Sequence, residues 1–438
     1  MSGAPRLYAR AWRWHFFAAL IVIPFVLWQS VTGVLYLWHE ELGAWLYPGQ
    51  VSVEPRAGSV SLDAQLASVL KHQPRESLQS IEISDDPARS TAFFFTAANG
   101  LAYPAFVNPH DGAYLGQVEA THWLRGVTRG LHGGWPVQPW GSYLLELGAC
   151  WAIVMMLTGL YLWWPRNAAG VAGVLYPRLR QGSRVFWRDL HATVGAWFSL
   201  VFLAFLFTAL PWTTFWGRNV LGPIETAAHQ ESPIGFFFAS GGGAQAGHGH
   251  AGHEAHGGHD VPAAIPKALT LDEIVDRARA AGARGTLELR PSPGNDVVAL
   301  RDDHPRSRDE VYLQLDGRSG AVRIKVTWTD YPMLAKIVAL GVDLHEGHFF
   351  GRINQVFNTV VAAALVWLVV TGSIGWYRRR PQGGLSAPPK CELRFPRAVV
   401  GIAVACCIVM PLLGMSVAAI WLIDHGFGRW LTRPAAGT

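Results

Sequence analysis

Four of the chain's 17 histidines fall into two spacing classes. His15 precedes Thr32 by 17 residues, and His191 precedes Thr208 by the same 17. His132 precedes Thr158 by 26 residues, and His345 precedes Thr371 by 26. All four lie inside or at the ends of long apolar stretches, where an ionisable side chain is costly and is kept for function. A neutral imidazole gives one ring nitrogen to a transition metal while the other holds the ring's orientation. Paired imidazoles on facing helices are one way to ligate haem iron from both sides. Taken singly, each of these histidines is better read as an interfacial residue bonded to water or a backbone carbonyl; four at matched positions reverse that weighting.

The elements that position them are membrane spans. Half of the 438 residues are hydrophobic, only 15% are charged and 20 are Trp, which excludes an ordinary soluble domain. Five stretches reach the roughly 20 apolar residues that a helix needs to cross a bilayer: 14–38, 142–164, 192–216, 353–377 and 398–423. Arg10 and Arg13 precede the first; Arg166, Arg178, Arg180, Arg184 and Arg188 fall in 165–191; Arg378, Arg379, Arg380, Lys390, Arg394 and Arg397 fall in 378–397. By the positive-inside rule these loops face the cytoplasm, so 39–141, 217–352 and the tail 424–438 lie outside, although Arg429 and Arg433 in the tail run counter to this. Residues 1–38 form an uncleaved anchor, because the apolar run is too long for a removable leader. The net charge of +5 then reports topology and contact with anionic lipid, and nucleic acid is not a partner. Cys150, Cys391, Cys406 and Cys407 all fall in spans or cytoplasmic loops, so no external disulfide is expected. No C-x-x-C-H occurs, so any haem is b-type.

The histidine spacings are part of a repeat. "LDAQLASVL" leads 46 residues later to "NPHDGAYLGQV", and "LDEIVDRARA" leads 45 residues later to "DGRSGAVRIKV". Strand signals follow each helix: "SIEI", "TAFFFT", "AYPAFV" in the first copy, "TLELR", "DVVAL", "EVYLQL" in the second. "WLRGVTRGL" and "YPMLAKIVALGVDL" read as helices lying in the interface before the second and fourth spans. The expected fold is a mainly α membrane protein, an internally duplicated helical bundle of four core transmembrane helices plus a fifth, carrying two external α+β modules. Both copies run in the same direction, so they relate by a pseudo-twofold axis along the membrane normal. That axis pairs His15 with His191 near the cytoplasmic face and His132 with His345 at the outer face.

"LHGGW...TGLYLWWPR", "DLHATVGAW", "LHEGHFFG...TGSIGWYRRR" and "NPHDGAYLG" resemble the PepSY-associated transmembrane helix family over residues 12 to about 380. The resemblance implies a bacterial inner-membrane protein with two periplasmic PepSY-like modules and two bis-histidine b-type haems. His15, His191, His132 and His345 are the cofactor-binding residues carried over. It also implies a ferric-siderophore reductase: electrons from the cytoplasmic side or the quinone pool reduce ferric iron held by a periplasmic chelator. Anionic oxygen chelators grip ferric iron tightly, and an added electron shifts its preference towards other ligands. A fifth helix and a histidine-rich insert depart from the pattern.

That insert offers His248, His250, His253, His256 and His259, with Glu254 and Asp260, among Gly and Ala. It reads equally as a flexible transition-metal site and as a loop with incidental metal affinity. His348, His39 and His425 stand as alternative haem ligands, and "HEGH" lacks the zinc-protease spacing. Trp28, Trp38, Trp151, Trp163, Trp164, Trp212 and Trp216 are assigned to membrane anchoring. Arg125, Arg129, Lys336 and Arg352 flank the outer histidines and read as snorkelling cations, with propionates or an anionic chelate as the other reading. No G-x-G-x-x-G after a strand, no G-x-x-x-x-G-K and no G-x-S-x-G is present, so the electron donor is a separate reductase, a quinol or a freely bound reduced cofactor. Two further readings compete: a non-enzymatic membrane protein whose modules bind peptide or protease, and an accessory to metal uptake.

Overall fold

The computed structural model describes residues 4–74, 78–166, 170–233, 269–291, 297–302, 306–379 and 395–431. In chain order the helices are α1 (Ala4–Leu37), α2 (His39–Leu46), α3 (Pro48–Val51), α4 (Leu62–Val69), α5 (Leu124–Gly133), α6 (Trp140–Trp163), α7 (Ser183–Ala209), α8 (Thr214–Trp216), α9 (Gly222–Ala228), α10 (Leu271–Ala280), α11 (Met333–His345), α12 (Arg352–Tyr377), α13 (Arg397–Val409) and α14 (Pro411–Leu431). The strands are β1 (Leu78–Ile83), β2 (Thr91–Thr96), β3 (Ala102–Val107), β4 (Tyr114–Gln117), β5 (Leu287–Pro291), β6 (Val297–Asp302), β7 (Tyr312–Asp316) and β8 (Val322–Val326). Two compact units result: one from Met1–Ser30, Val137–Val220 and Val360–Thr438, the other from Val31–Pro136 and Leu221–Thr359.

In the first unit, Leu7–Leu37, Trp140–Trp163, Ser183–Trp212 and Arg352–Tyr377 are, among the described residues, the four continuous helices long and apolar enough to cross a membrane. α1 and α12 continue into the second unit. α6 packs on α1 through Trp14 stacked on Trp151 at 5.9 Å, and on α7 and α12 through Met156, Phe202, Val361 and Leu368. Ser142 and the fully buried Glu146 fasten the turn after α7: Thr214 bonds Ser142 Oγ at 2.7 Å, and the amides of Phe215 and Trp216 donate to Glu146 Oε2 at 3.1 Å.

The stretch 398–423, expected as one span, is broken into two helices, α13 and α14, bent by 120°, which together are apolar enough for a broken span or a re-entrant loop. Pro411 disfavours helical backbone at the residue before it, and Met410 takes φ −122°, ψ 81°. The 13 residues of α13 cover about 20 Å, short of a hydrocarbon core of about 30 Å. Met410 and Leu413 at the bend pack into the cluster of Ala18, Val22, Cys150 and Leu210, and Trp216 Nε1 donates to Val409 O at 2.7 Å.

The second unit holds one antiparallel sheet of eight strands in the order β4-β3-β2-β1-β5-β6-β7-β8. The two strand sets read from the sequence are joined edge to edge, with Ile81 opposite Leu289 and Ile83 opposite Leu287. α4 and α10 cover one face, burying Leu66, Phe93, Phe95, Ile274, Leu289 and Leu313. The first turn of each helix is closed by the other's aspartate: Leu62 N donates to Asp272 Oδ2 at 2.9 Å, and Leu271 N to Asp63 Oδ2 at 2.8 Å. On the opposite face, Trp123 at the start of α5 packs on Ala92 and Phe106, and Ala335 of α11 on Tyr312 and Val326.

Candidate haem-ligand histidine pairs

Within the first unit, His15 on α1 and His191 on α7 face each other with ring centres 6.3 Å apart and planes at 79°. Both rings are held from behind in the same way. His15 Nδ1 lies 3.1 Å from Met155 O and 3.2 Å from Thr158 Oγ1 on α6; His191 Nδ1 lies 3.1 Å from Leu368 O and 3.2 Å from Thr371 Oγ1 on α12. Each threonine hydroxyl donates to a carbonyl of its own helix, Thr158 to Val154 O at 2.9 Å and Thr371 to Trp367 O at 2.8 Å. Its oxygen is therefore left to accept, which places the imidazole proton on Nδ1 and the lone pair on Nε2. Among the described residues, Nε2 of His15 and of His191 makes no hydrogen bond.

Each ring sits close against a glycine of the helix that holds it. A Cβ on Gly159 would stand 3.1 Å from His15 Cε1, and one on Gly372 would stand 3.2 Å from His191 Cε1. The Thr-Gly step thus holds the ring with its first residue and makes room for it with its second.

In the second unit, His132 in the last turn of α5 faces His345, the last residue of α11, with ring centres 6.4 Å apart and planes at 61°. His132 Nδ1 lies 3.0 Å from Thr32 Oγ1, and a Cβ on Gly33 would come within 3.1 Å of His132 Cε1. Asn358 Nδ2 donates to the carbonyls of Leu344 at 2.8 Å and His345 at 2.9 Å, closing the end of α11. Desolvation by its surroundings, with His345 adding to it, pushes the His132 pKa down to about 4. The imidazole is therefore neutral, the form that binds metal, at ordinary pH.

Residues 12–379 match the PepSY-associated TM region. The chain belongs to that family. It is a multi-pass PepSY-associated protein whose match takes in the antiparallel sheet and, but for the first five residues of Leu7–Leu37, the four continuous spans. None of the curated proteins matches the sequence.

The donor set of this PepSY-associated protein fits haem. A metal–imidazole bond is about 2.0–2.1 Å and the ring centre lies about 1 Å behind the bonding nitrogen, so two imidazoles sharing one metal stand about 6 Å apart. The two observed separations are 6.3 and 6.4 Å. Among the described residues no three His, Cys, Asp or Glu side chains converge on one point as a metal cage would require. The histidines come as pairs.

The alternatives are placed elsewhere. His39 Nδ1 lies 2.6 Å from Tyr36 O and its ring stacks on Tyr36; burial first, and Arg125 next, push its pKa down to about 3. His348 is 43% exposed, 3.9 Å from Glu346. His425 lies on α14, its side chain outside the described residues, as are His248, His250, His253, His256 and His259. Two of the cations flanking the outer pair are taken by carboxylates, Arg125 by Glu82 at 3.1 Å and Arg352 by Glu41, while Lys336 lies over the Trp328 ring. Thr32, Thr158 and Thr371, which mark the repeat in the sequence, are in the structure the side-chain partners of His132, His15 and His191. The Thr-Gly dipeptide was the available signal.

Proposed function

We propose that the protein is an inner-membrane electron-transfer protein that holds two b-type haems, one on His15 and His191 and one on His132 and His345, and reduces ferric-siderophore complexes at the periplasmic face. The observation that carries this reading is the His15 and His191 pair: matched rings at 6.3 Å, each pinned through Nδ1 with Nε2 left over. Bound haem supplies one-electron chemistry, which a ferric chelate needs in order to give up its metal. The chain's own tasks are to fix both rings, to keep Nε2 deprotonated and to shield each pair from water. Acid and base groups are not required.

An internal duplication accounts for the rest of the design. The sheet order runs symmetrically outwards from the β1–β5 junction, the aspartate caps are reciprocal, and the His to Thr spacings repeat. With Arg-rich loops on the cytoplasmic side, the sheet is a periplasmic pair of PepSY-like modules beside the His132 and His345 pair, and the donor, whether quinol, reductase or reduced cofactor, serves the His15 and His191 pair.

Purified protein expressed with ample haem is expected to show about two haems per chain and a bis-histidine spectrum that dithionite reduces and a ferric siderophore reoxidises. His15→Ala and His345→Ala should each remove about one haem. A haem-free wild type, or full occupancy in the quadruple alanine variant of all four histidines, overturns the proposal. Reduced haem that ferric siderophores leave untouched overturns the substrate alone.

A further inference from the structure

The end of the first unit next to His15 and His191 carries arginines in a pattern tied to that pair. Arg184 precedes His191 by seven residues, two turns along the same helix face. Arg379 follows Thr371, the partner of His191, by eight residues; Arg166 follows Thr158, the partner of His15, by the same eight. Arg378 Nη1 donates to Ser183 Oγ at 2.8 Å, so the end of α12 meets the start of α7. The Arg379 guanidinium lies 4.6 Å from the ring of Trp12, on α1 three residues before His15.

Two other arginines nearby have a carboxylate partner: Arg178 and Arg188 share the buried Asp189 at 2.7 and 2.9 Å. Arg184 and Arg379 have no carboxylate partner among the described residues, and Arg379 Nε is shielded from solvent without a hydrogen bond. Burial, and Arg184 after it, push the Arg379 pKa down, as two like charges without an anion between them must. A shielded donor of this kind is costly unless a ligand completes it.

We propose that Arg184 and Arg379 bind the carboxylates of the tetrapyrrole held between His15 and His191, and so fix it with its propionates towards the end of the unit that carries these arginines. This rests on the dihaem reading above. The distance along α7 from His191 to Arg184 is about 10 Å, the scale of half a porphyrin with its propionate arm. The planar guanidinium fork suits a carboxylate.

The test uses the full chain carrying His132→Ala and His345→Ala, so that only the inner pair remains, stripped of haem in detergent. It is titrated with haem and with haem dimethyl ester, whose carboxylates are blocked. The parent should prefer haem by roughly tenfold or more. Arg184→Gln with Arg379→Gln should weaken haem by that factor and leave the diester unchanged, while Arg184→Lys with Arg379→Lys should keep much of the preference. Equal binding of haem and diester by the parent, or equal losses for both in the Gln variant, overturns the proposal. So does loss of bound phosphatidylglycerol in the Gln variant with the haem preference intact, which would assign the arginines to a lipid phosphate. A parent that gives no Soret band with either compound overturns the dihaem reading itself.

Discussion

His15 Nδ1 stands 3.2 Å from Thr158 Oγ1, so the first span's histidine is held by the second span's threonine. The relation is reciprocal, since Thr32 of the first span's helix holds His132, which precedes the second. Thr158→Val removes the hydroxyl and leaves Met155 O as the sole acceptor for the ring proton. A neutral hydrogen bond of this kind contributes about 1 kcal/mol, so haem affinity at the inner pair should fall about fivefold. The ring nitrogen becomes a weaker base, and the midpoint potential of one haem should rise in a potentiometric titration. Thr158→Ser should restore both values.

Alanine at the glycines behind the rings should act by displacement. Gly159→Ala and Gly372→Ala place a methyl about 3.1–3.2 Å from a histidine carbon, closer than ordinary contact, so the ring must shift by a few tenths of an ångström. Haem content per chain and the Soret position should change in each. Gly43→Ala on α2, where a Cβ meets nothing within 4 Å, should leave both unchanged and, if anything, raise thermal stability through helix propensity.

The ring planes carry a spectroscopic expectation. Imidazoles at 79° direct their π orbitals at different iron d orbitals and leave these nearly equal in energy, whereas coplanar rings split them. If haem is held between His15 and His191 as proposed, its oxidised form should give a highly anisotropic low-spin EPR signal with one large g value. A conventional rhombic spectrum at the inner site would mean that the rings turn on binding and that the Nδ1 bonds do not hold the planes.

A histidine outside the pairs sets a pH dependence. His110, in the turn between β3 and β4, has Nδ1 2.9 Å from Gly58 O and Nε2 2.9 Å from Pro87 O. Donating to both carbonyls requires the imidazolium, and these two bonds raise its pKa above the ordinary value. Because the folded pKa exceeds the unfolded one, the contribution is complete below about pH 6.5 and is lost as pH rises through the folded value. Hydrogen exchange near Gly58 and Pro87 should quicken over that interval, and His110→Ala should remove the pH dependence. Exchange that is flat with pH in the wild type would contradict the assignment.

What the sequence makes legible here is periodic or local. Apolar runs locate α1, α6, α7 and α12, alternation locates the strands, and the 17- and 26-residue spacings pick out the histidines that the structure brings together. Long-range pairing is different in kind. Nothing in "SIEI" or "TLELR" says that β1 and β5 will meet, because each strand's pattern reports only which face is buried. The exchange of threonines between helices is likewise hidden, since spacing along one chain segment does not say which neighbour its side chain reaches. The bend at Met410 had a visible cause in Pro411, outweighed in the sequence by the hydropathy around it.

The junction of β1 with β5, closed above by the crossed aspartates Asp63 and Asp272, gives neither strand set a complete boundary of its own. Cut from its counterpart, a single set would present a bare strand edge and a helix start whose amide lacks an acceptor. A substitution at the seam in one strand set must therefore suit a surface built by the other, about two hundred residues away in the chain.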